Sequence, residues 1–348
     1  MKAVFMLEHG DAEVLQYGDV PEPEIDENEV KIRVKACGIN RLDIFTRAGK
    51  RGVKVNFDGP HILGGDVAGV VVETGELVSN VKIGQRVVVN PRLVCSECKD
   101  CLLGNDESCT RYRMLGTSIN GGYAEYTKTH KDNVFEIPDS LSYEGAAALP
   151  TVYVPCWSMF QRRAKLKSSE TALIASASSG VGSAAIQFAK FVIGATVIAT
   201  TSNRFKVERA KDVGADYVIN YKEESISEKV MEFTNGKGAD VIFDHVGTDF
   251  WNESVSVLAP GGRYGICGVT SGYKVNLQLG TLFMRNQSIL GIHMGKKDDL
   301  SEIIKLVEAG SINPVIHKTF DLQMAKEAHL AMDKNEFFGK LVITVTQN

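Results

Sequence analysis

The hydrophobic rhythm of the chain changes near residue 150. Before it, short runs alternate apolar with polar positions and are cut by turn residues: EVKIRVKACG (29–38), AGVVVET (68–74), GQRVVVN (84–90) and GGYAEYTKTH (121–130). A period of two puts the apolar side chains on one face of a strand, so this half predicts a compact, mainly antiparallel β unit. After it, the runs TALIASA (171–177), TVIATT (196–201), DYVINY (216–221), DVIFDHV (240–246), GRYGICG (262–268) and SILGIHM (288–294) are β-branched and apolar on both faces. Strands of that kind are covered on both sides, as in a parallel sheet. Between them, VGSAAIQFAKFV (181–192) and FKVERAKDVG (205–214) carry helical spacing. Strand alternating with helix predicts an α/β fold with a doubly wound parallel sheet, whose ligand sits at the carboxyl ends of the strands. The tail is mixed and closes on KLVITV (340–345), a predicted strand that rejoins the first domain. The expected division is a mainly β domain of residues 1–153 with 293–348, and a dinucleotide-binding domain of residues 154–292.

Composition narrows the partners. At 348 residues the chain suits two domains, and 44% apolar residues with 24% charged and a formal charge of −4 describe a globular protein without a basic stripe for nucleic acid. No apolar run reaches membrane-spanning length, and Glu8 and His9 interrupt the N-terminal stretch where a signal peptide would need a longer apolar core. The expectation is a cytoplasmic protein acting on a small molecule, with no nucleic acid and no membrane as partner.

Four of the seven cysteines, Cys95, Cys98, Cys101 and Cys109, fall within fifteen residues in a CxxCxxCx₇C spacing. Such spacing lets four thiolates surround one Zn²⁺ with no open position, the pattern of a structural rather than a catalytic site. Two disulfides, four unrelated thiols and an iron–sulfur cluster are the competing readings; an odd cysteine count and the lack of a signal peptide favour the reduced, metal-holding form. The lobe, about residues 91–112, is rich in charge and glycine. With little apolar material to fold around, it is expected to depend on its metal.

At the first strand-to-helix turn of the predicted sheet stand Ala177, Ser178, Ser179, Gly180, Val181 and Gly182. Small residues there let the backbone approach a pyrophosphate, and the first-turn N–H groups with the helix dipole stabilise its charge; tight packing alone is the plainer explanation of such a loop. An acidic residue about twenty positions further on would accept from a ribose 2′-hydroxyl and favour NAD(H). That place reads Thr200, Thr201, Ser202, Asn203, Arg204, with no carboxylate. Hydroxyls and a guanidinium suit a 2′-phosphate, so NADP(H) is expected ahead of NAD(H), although Arg204 and Lys206 also fit as solvated residues at a helix start.

Together these pieces resemble the medium-chain dehydrogenase/reductase superfamily over essentially the whole chain, on the segments ACGINRLDIFTRAG (36–49), PHILGGDVAGVV (60–71), the four-cysteine lobe, GGYAEY (121–126), ASSGVG (177–182) and GGRYGICG (261–268). The resemblance is to quinone-oxidoreductase-like and zinc-binding alcohol-dehydrogenase-like members. It implies a chaperonin-like (GroES-like) β domain beside a Rossmann domain, and a homodimer or homotetramer. In the family's alcohol dehydrogenases a catalytic zinc is held by a cysteine, by the histidine of a GHE motif and by a third ligand near the domain junction. Here those places hold Asn40, the Gly64, Gly65, Asp66 triplet, and Val152, while Leu42 stands where those enzymes carry a relay hydroxyl. Cys37 lies three residues too early, and His61 is read as a loop histidine. The resemblance therefore implies one structural zinc and a hydride transfer to a quinone or α,β-unsaturated carbonyl without catalytic zinc. A zinc alcohol dehydrogenase with unusual ligands (His61, Asp66, Cys37) and a non-catalytic NADPH-binding protein are the alternatives.

The same resemblance assigns residues. Asn40, Thr46 and Arg47 are candidate donors to the developing oxyanion, and Asp43 either orients Asn40 or a backbone N–H, or is a turn carboxylate. Ser178 to Gly182 match the pyrophosphate loop; Thr201, Ser202 and Arg204 match the adenosine ribose or its phosphate, with Tyr221 flanking it. Val246, Gly247, Cys267 and Gly268 match strand ends under the nicotinamide, and Lys340 reaches toward the adenosine end. Tyr153 and Trp157 suit either a cleft wall or core packing.

Overall fold

The computed structural model describes residues 1–346. Its contacts divide the chain into two compact units, Met1–Thr151 with Lys296–Glu308 and Ile316–Asn348, and Val152–Gly295 with Ala309–Val315. No helix among the described residues is long and apolar enough to cross a membrane.

In the first unit the strand Glu29–Gly38 is the hub. It pairs antiparallel with Asp66–Thr74 on one edge; on the other it meets Tyr126–His130 along its first half and Lys340–Thr344 along its last residues. Its alternation is visible in burial: Val30, Ile32 and Val34 are fully buried, while the lysines and arginine between them are not. Each such side chain removed from water stabilises the fold by roughly 1.5–3 kcal/mol. The strand ends at Gly38, and the chain turns through Ile39 and Asn40 into the helix Arg41–Ala48. The final strand, Lys340–Thr344, joins this sheet and so carries Lys340 to the end of the hub strand.

The second unit holds a six-stranded parallel sheet in the spatial order Tyr217–Asn220, Thr196–Thr201, Thr171–Ile174, Ala239–Asp244, Leu258–Ile266 and Ser288–Gly291. The first strand in sequence is therefore central, with the order reversing on either side of it, the switch point of a doubly wound fold. Ala239–Asp244 is buried along its whole length, which suits its apolar residues Val241, Ile242 and Phe243, while buried Asp240 accepts from the Thr171 N–H at 3.0 Å. Residues 309–315, read from the pattern as part of the first domain's tail, pack with this unit: the Gln187 amide donates to the Asn313 carbonyl at 2.9 Å and accepts from its N–H at 2.8 Å. Tyr153 is core here, nearly fully buried, and its hydroxyl donates to the same carbonyl at 3.2 Å. Trp157 stacks edge-on against Phe188.

Candidate active site

In the first unit, Asn40 is the residue before the helix Arg41–Ala48, and its backbone N–H donates to the Asp43 carboxylate at 2.7 Å. That is the returning half of a capping box, so Asp43 holds the turn that presents Asn40. The second Asp43 oxygen accepts from the Gly64 N–H at 3.2 Å. Burial pushes the Asp43 carboxyl up to about 7, against the lowering effect of the Asn40 N–H bond.

The Asn40 side chain enters a buried cluster. Its amide N–H donates to Asp66 at 2.8 Å, and its carbonyl oxygen accepts from the Lys340 ammonium at 2.7 Å. The orientation of this amide is fixed chemically, because a lysine ammonium can only donate and a carboxylate can only accept. Lys340 also donates to the Ile39 carbonyl at 3.0 Å and to Asp66 at 3.2 Å. The other Asp66 oxygen accepts from the backbone N–H of Thr151 at 3.1 Å and from the Thr151 hydroxyl. Asp66 is fully buried and Lys340 nearly so. One N–H of the half-buried Asn40 remains uncommitted, held in direction by the ion pair behind it.

The remaining expectations for this unit divide. The resemblance sent Lys340 toward the adenosine of a cofactor; its three protons are instead held by Ile39, Asn40 and Asp66, because the final strand brings it in beside the hub strand. Thr46 and Arg47 do not join the cluster. The Thr46 hydroxyl donates to the Leu42 carbonyl at 2.8 Å, and buried Arg47 points its guanidinium at the Gly10 carbonyl, Asp333 and His329. His61 lies in a short strand rather than a loop, with Nε2 3.3 Å from the Gly116 carbonyl, and burial lowers its basicity. Burial, with Asp43 and Asp66 nearby, raises the Cys37 thiol well above its ordinary range. His61, Asp66 and Cys37 do not converge: among the described residues, the one group of three or more metal-competent side chains within reach of one another is Cys95, Cys98, Cys101 and Cys109.

Those four sulfurs lie within 4.8 Å of each other, with Cys95 3.6 Å from Cys109 and 3.9 Å from Cys101. A tetrahedral Zn²⁺ with bonds of about 2.3 Å sets sulfurs about 3.8 Å apart, so the donor set fits that ion and is far too open for disulfides. The backbone N–H of Glu97, followed by that of Cys98, lowers the Cys95 thiol to about 6.

In the second unit, the residues assigned to a dinucleotide gather at the carboxyl ends of the parallel strands. After Thr171–Ile174, Ser178 is buried and Ser179 caps the helix Gly180–Gln187, its hydroxyl accepting from the Gly182 N–H at 2.8 Å. A side chain at Gly182 would collide with the Ser176 carbonyl, which is why the third small position of the loop, after Ala177 and Ser179, has none. After Thr196–Thr201, the Thr201 hydroxyl is buried without a hydrogen-bond partner. Ser202 and Asn203 lead into the next helix, and exposed Arg204 pairs with Glu223 at 3.2 Å. Exposed Tyr221 follows the strand Tyr217–Asn220, its N–H on the Thr201 carbonyl at 3.0 Å. Asp244 fixes the next turn: one carboxylate oxygen accepts from the N–H groups of Val246, at 2.7 Å, and Gly247, at 3.0 Å. Burial raises this carboxyl to about 6. The Cys267 N–H donates to the Asp244 carbonyl at 2.8 Å, and a Cβ at Gly268 would stand 2.7 Å from the His245 carbonyl oxygen.

Sequence reasoning passed over His245. Its Nε2 is 2.7 Å from the Ser179 hydroxyl, and its Nδ1 is buried with no partner. The available signal was a polar ring placed directly after the strand run DVIFD. Two buried polar atoms lacking partners, Thr201 Oγ1 and His245 Nδ1, thus end the strands on either side of the one that feeds the helix cap. Together with the glycine cradle at 182, they fit a ligand with phosphates and hydroxyls.

Comparison with known proteins agrees with this geometry. Residues 26–139 match the alcohol dehydrogenase GroES-like domain family, and residues 180–309 match the zinc-binding dehydrogenase family. An NAD-dependent alcohol dehydrogenase of Sulfolobus acidocaldarius is 30% identical over 99% of this chain and its own whole length. A quinone oxidoreductase of Salmonella typhimurium is 30% identical, covering 96% of this chain and 97% of its own. A crystal structure of an NAD-dependent alcohol dehydrogenase superposes with a TM-score of 0.94 at 39% identity, covering 99% of this chain and all of that one.

Proposed function

This chain is an oxidoreductase of the medium-chain dehydrogenase/reductase superfamily, and from that premise we propose that it moves hydride from NADPH to a quinone or an α,β-unsaturated carbonyl compound, the substrate oxygen being polarised by Asn40 rather than by a metal ion. The observation that carries the proposal is the Lys340–Asp66–Asn40 cluster. A catalytic zinc needs three converging protein ligands and an open position. Asp66, which would have to be one of them, already accepts four hydrogen bonds and is balanced by a lysine ammonium.

The bound nicotinamide supplies the hydride; the protein supplies direction and charge stabilisation. As negative charge builds on the substrate oxygen, the free N–H of Asn40 donates to it. The Lys340 ammonium draws electron density from the Asn40 carbonyl oxygen and so strengthens that N–H as a donor. Because the amide is already locked, no reorganisation is needed as charge develops, which is where such donors contribute most. Asp43 maintains the turn beneath Asn40. Cys95, Cys98, Cys101 and Cys109 hold one structural Zn²⁺, whose four sulfur ligands leave no open position for substrate.

Ser178 to Gly182 and the strand ends after Thr201 and Asp244 hold the dinucleotide. Preference for NADPH is supported by the lack of a carboxylate ending Thr196–Thr201 and by Thr201, Ser202 and Arg204 around that end. Glu223 shares the Arg204 guanidinium, but an exposed pair of this kind contributes only about 0–1 kcal/mol, so a phosphate displaces it at small cost.

The test is a turnover panel of quinones, enones, aldehydes and alcohols with NADPH and NADH, run on the wild type and on Asn40→Ala. The proposal expects quinone or enone reduction with NADPH favoured, and a loss of roughly 100-fold or more in kcat for the variant with dinucleotide affinity unchanged. Turnover confined to alcohols and abolished by chelators would overturn it.

A further inference from the structure

His245 stands at the end of Ala239–Asp244, on the opposite side of the central strand from Thr201. Its backbone is clamped: the Thr270 hydroxyl donates to its carbonyl at 3.3 Å, and Gly268 packs closely against the same peptide. Burial holds the imidazole down at about 4, so the ring is neutral and carries one proton.

The Ser179 hydroxyl oxygen accepts from the Gly182 N–H at 2.8 Å, lies 3.0 Å from the Ser176 carbonyl, which already accepts from the Ser179 N–H at 3.0 Å, and is 2.7 Å from His245 Nε2. The hydroxyl proton can therefore serve either Ser176 or Nε2, and the ring proton sits on Nε2 in the first case and on Nδ1 in the second. In both, Nδ1 is buried without a partner. A hydroxyl, which both donates and accepts, completes Nδ1 in either form, whereas a phosphate completes only a protonated Nδ1.

We propose that His245 is a cofactor-positioning residue: its Nδ1 makes a hydrogen bond to a sugar hydroxyl in the nicotinamide half of the bound dinucleotide, while its Nε2 holds the Ser179 cap at the pyrophosphate loop. The inference rests on the reading that the second unit binds a nicotinamide dinucleotide. It assigns the nicotinamide half because the adenosine half of a dinucleotide in a doubly wound sheet lies toward the end of the second strand, here Thr196–Thr201, and His245 is on the other side.

The experiment measures dissociation constants of NADPH and of ADP, which carries only the adenosine half, for wild type and His245→Phe, alongside ¹⁵N spectra of histidine-labelled wild type. The expected result is an NADPH affinity reduced about 3- to 10-fold in the variant, as for loss of one hydrogen bond, with ADP, which meets the Ser179 cap but not Nδ1, weakened less. In the spectra, the ring stays neutral and the Nδ1 resonance moves when NADPH is added. Equal weakening toward both ligands means that His245 serves only the fold of the loop and overturns the proposal, as does unchanged NADPH binding or an Nδ1 resonance that NADPH leaves unmoved. Failure of the wild type to bind either ligand would instead sink the dinucleotide reading itself.

Discussion

Around Asp66, in the first unit, two carboxylate oxygens meet four donors and the nearby ammonium has an acceptor for each of its protons; at the strand ends of the second unit, Thr201 Oγ1 and His245 Nδ1 are buried with none. A buried polar group without a partner costs about 1–3 kcal/mol, so the second arrangement is complete only when something supplies the missing bonds. The first is complete by itself and offers a single directed N–H. The contrast separates two tasks. A polarising donor works best when it is rigid before charge develops, whereas a cofactor cradle can leave bonds for its ligand to make, which is where affinity comes from.

The sharpest way to break this contrast is to unpair the first cluster. Lys340→Met strands a buried carboxylate and should destabilise the protein by about 3–5 kcal/mol in urea unfolding, most of it recovered when Asp66→Asn is added. A loss under about 1 kcal/mol would mean that Asp66 is not held as a buried ion pair at all. Next comes the pH response of the turn beneath it. The folded pKa of Asp43, about 7, lies above its unfolded value of about 3.9, so the stability it gives is fully present below about pH 4 and is lost as pH rises through 7. Asp43→Asn cannot ionise, and its melting temperature should therefore fall less than that of the wild type between pH 5 and 8. Parallel curves would show that Asp43 is solvated rather than buried. The smallest effect belongs to the second unit: Ser179→Ala removes a helix cap, a loss of about 1 kcal/mol by urea unfolding, and leaves both nitrogens of His245 without partners. If the cradle is built as described, saturating NADPH should raise the melting temperature of this variant by less than that of the wild type; an equal rise would detach Ser179 from the ligand.

Local patterns were readable directly. The alternation of Val30, Ile32 and Val34, the apolar run of 241–243 and the cysteine spacing are each set within a few residues of chain, and each predicts its structure by its own period. The Asn40 cluster was only half legible. Asn40 and Asp43 share one turn and were picked out together, but the partner that orients Asn40 is 300 residues away and arrives through the pairing of the last strand with the hub strand. No spacing rule reports such a contact. The resemblance points to Thr46 and Arg47 because it sets their segment facing the nicotinamide, yet their hydrogen bonds go to the helix backbone and to the helix Ala325–Lys334, for which the pattern predicts no element. His245 escaped because its chemistry depends on a serine 66 residues earlier, brought alongside by parallel pairing.

The central claim is that protein groups alone polarise the substrate oxygen, and the most direct measurement of it is the zinc content of the active enzyme by native mass spectrometry. The account predicts about one zinc per chain in the wild type, none in a Cys95→Ser, Cys98→Ser variant, and about one still in Asp66→Asn. About two zincs in the wild type, with the second lost in Asp66→Asn together with activity, would contradict it.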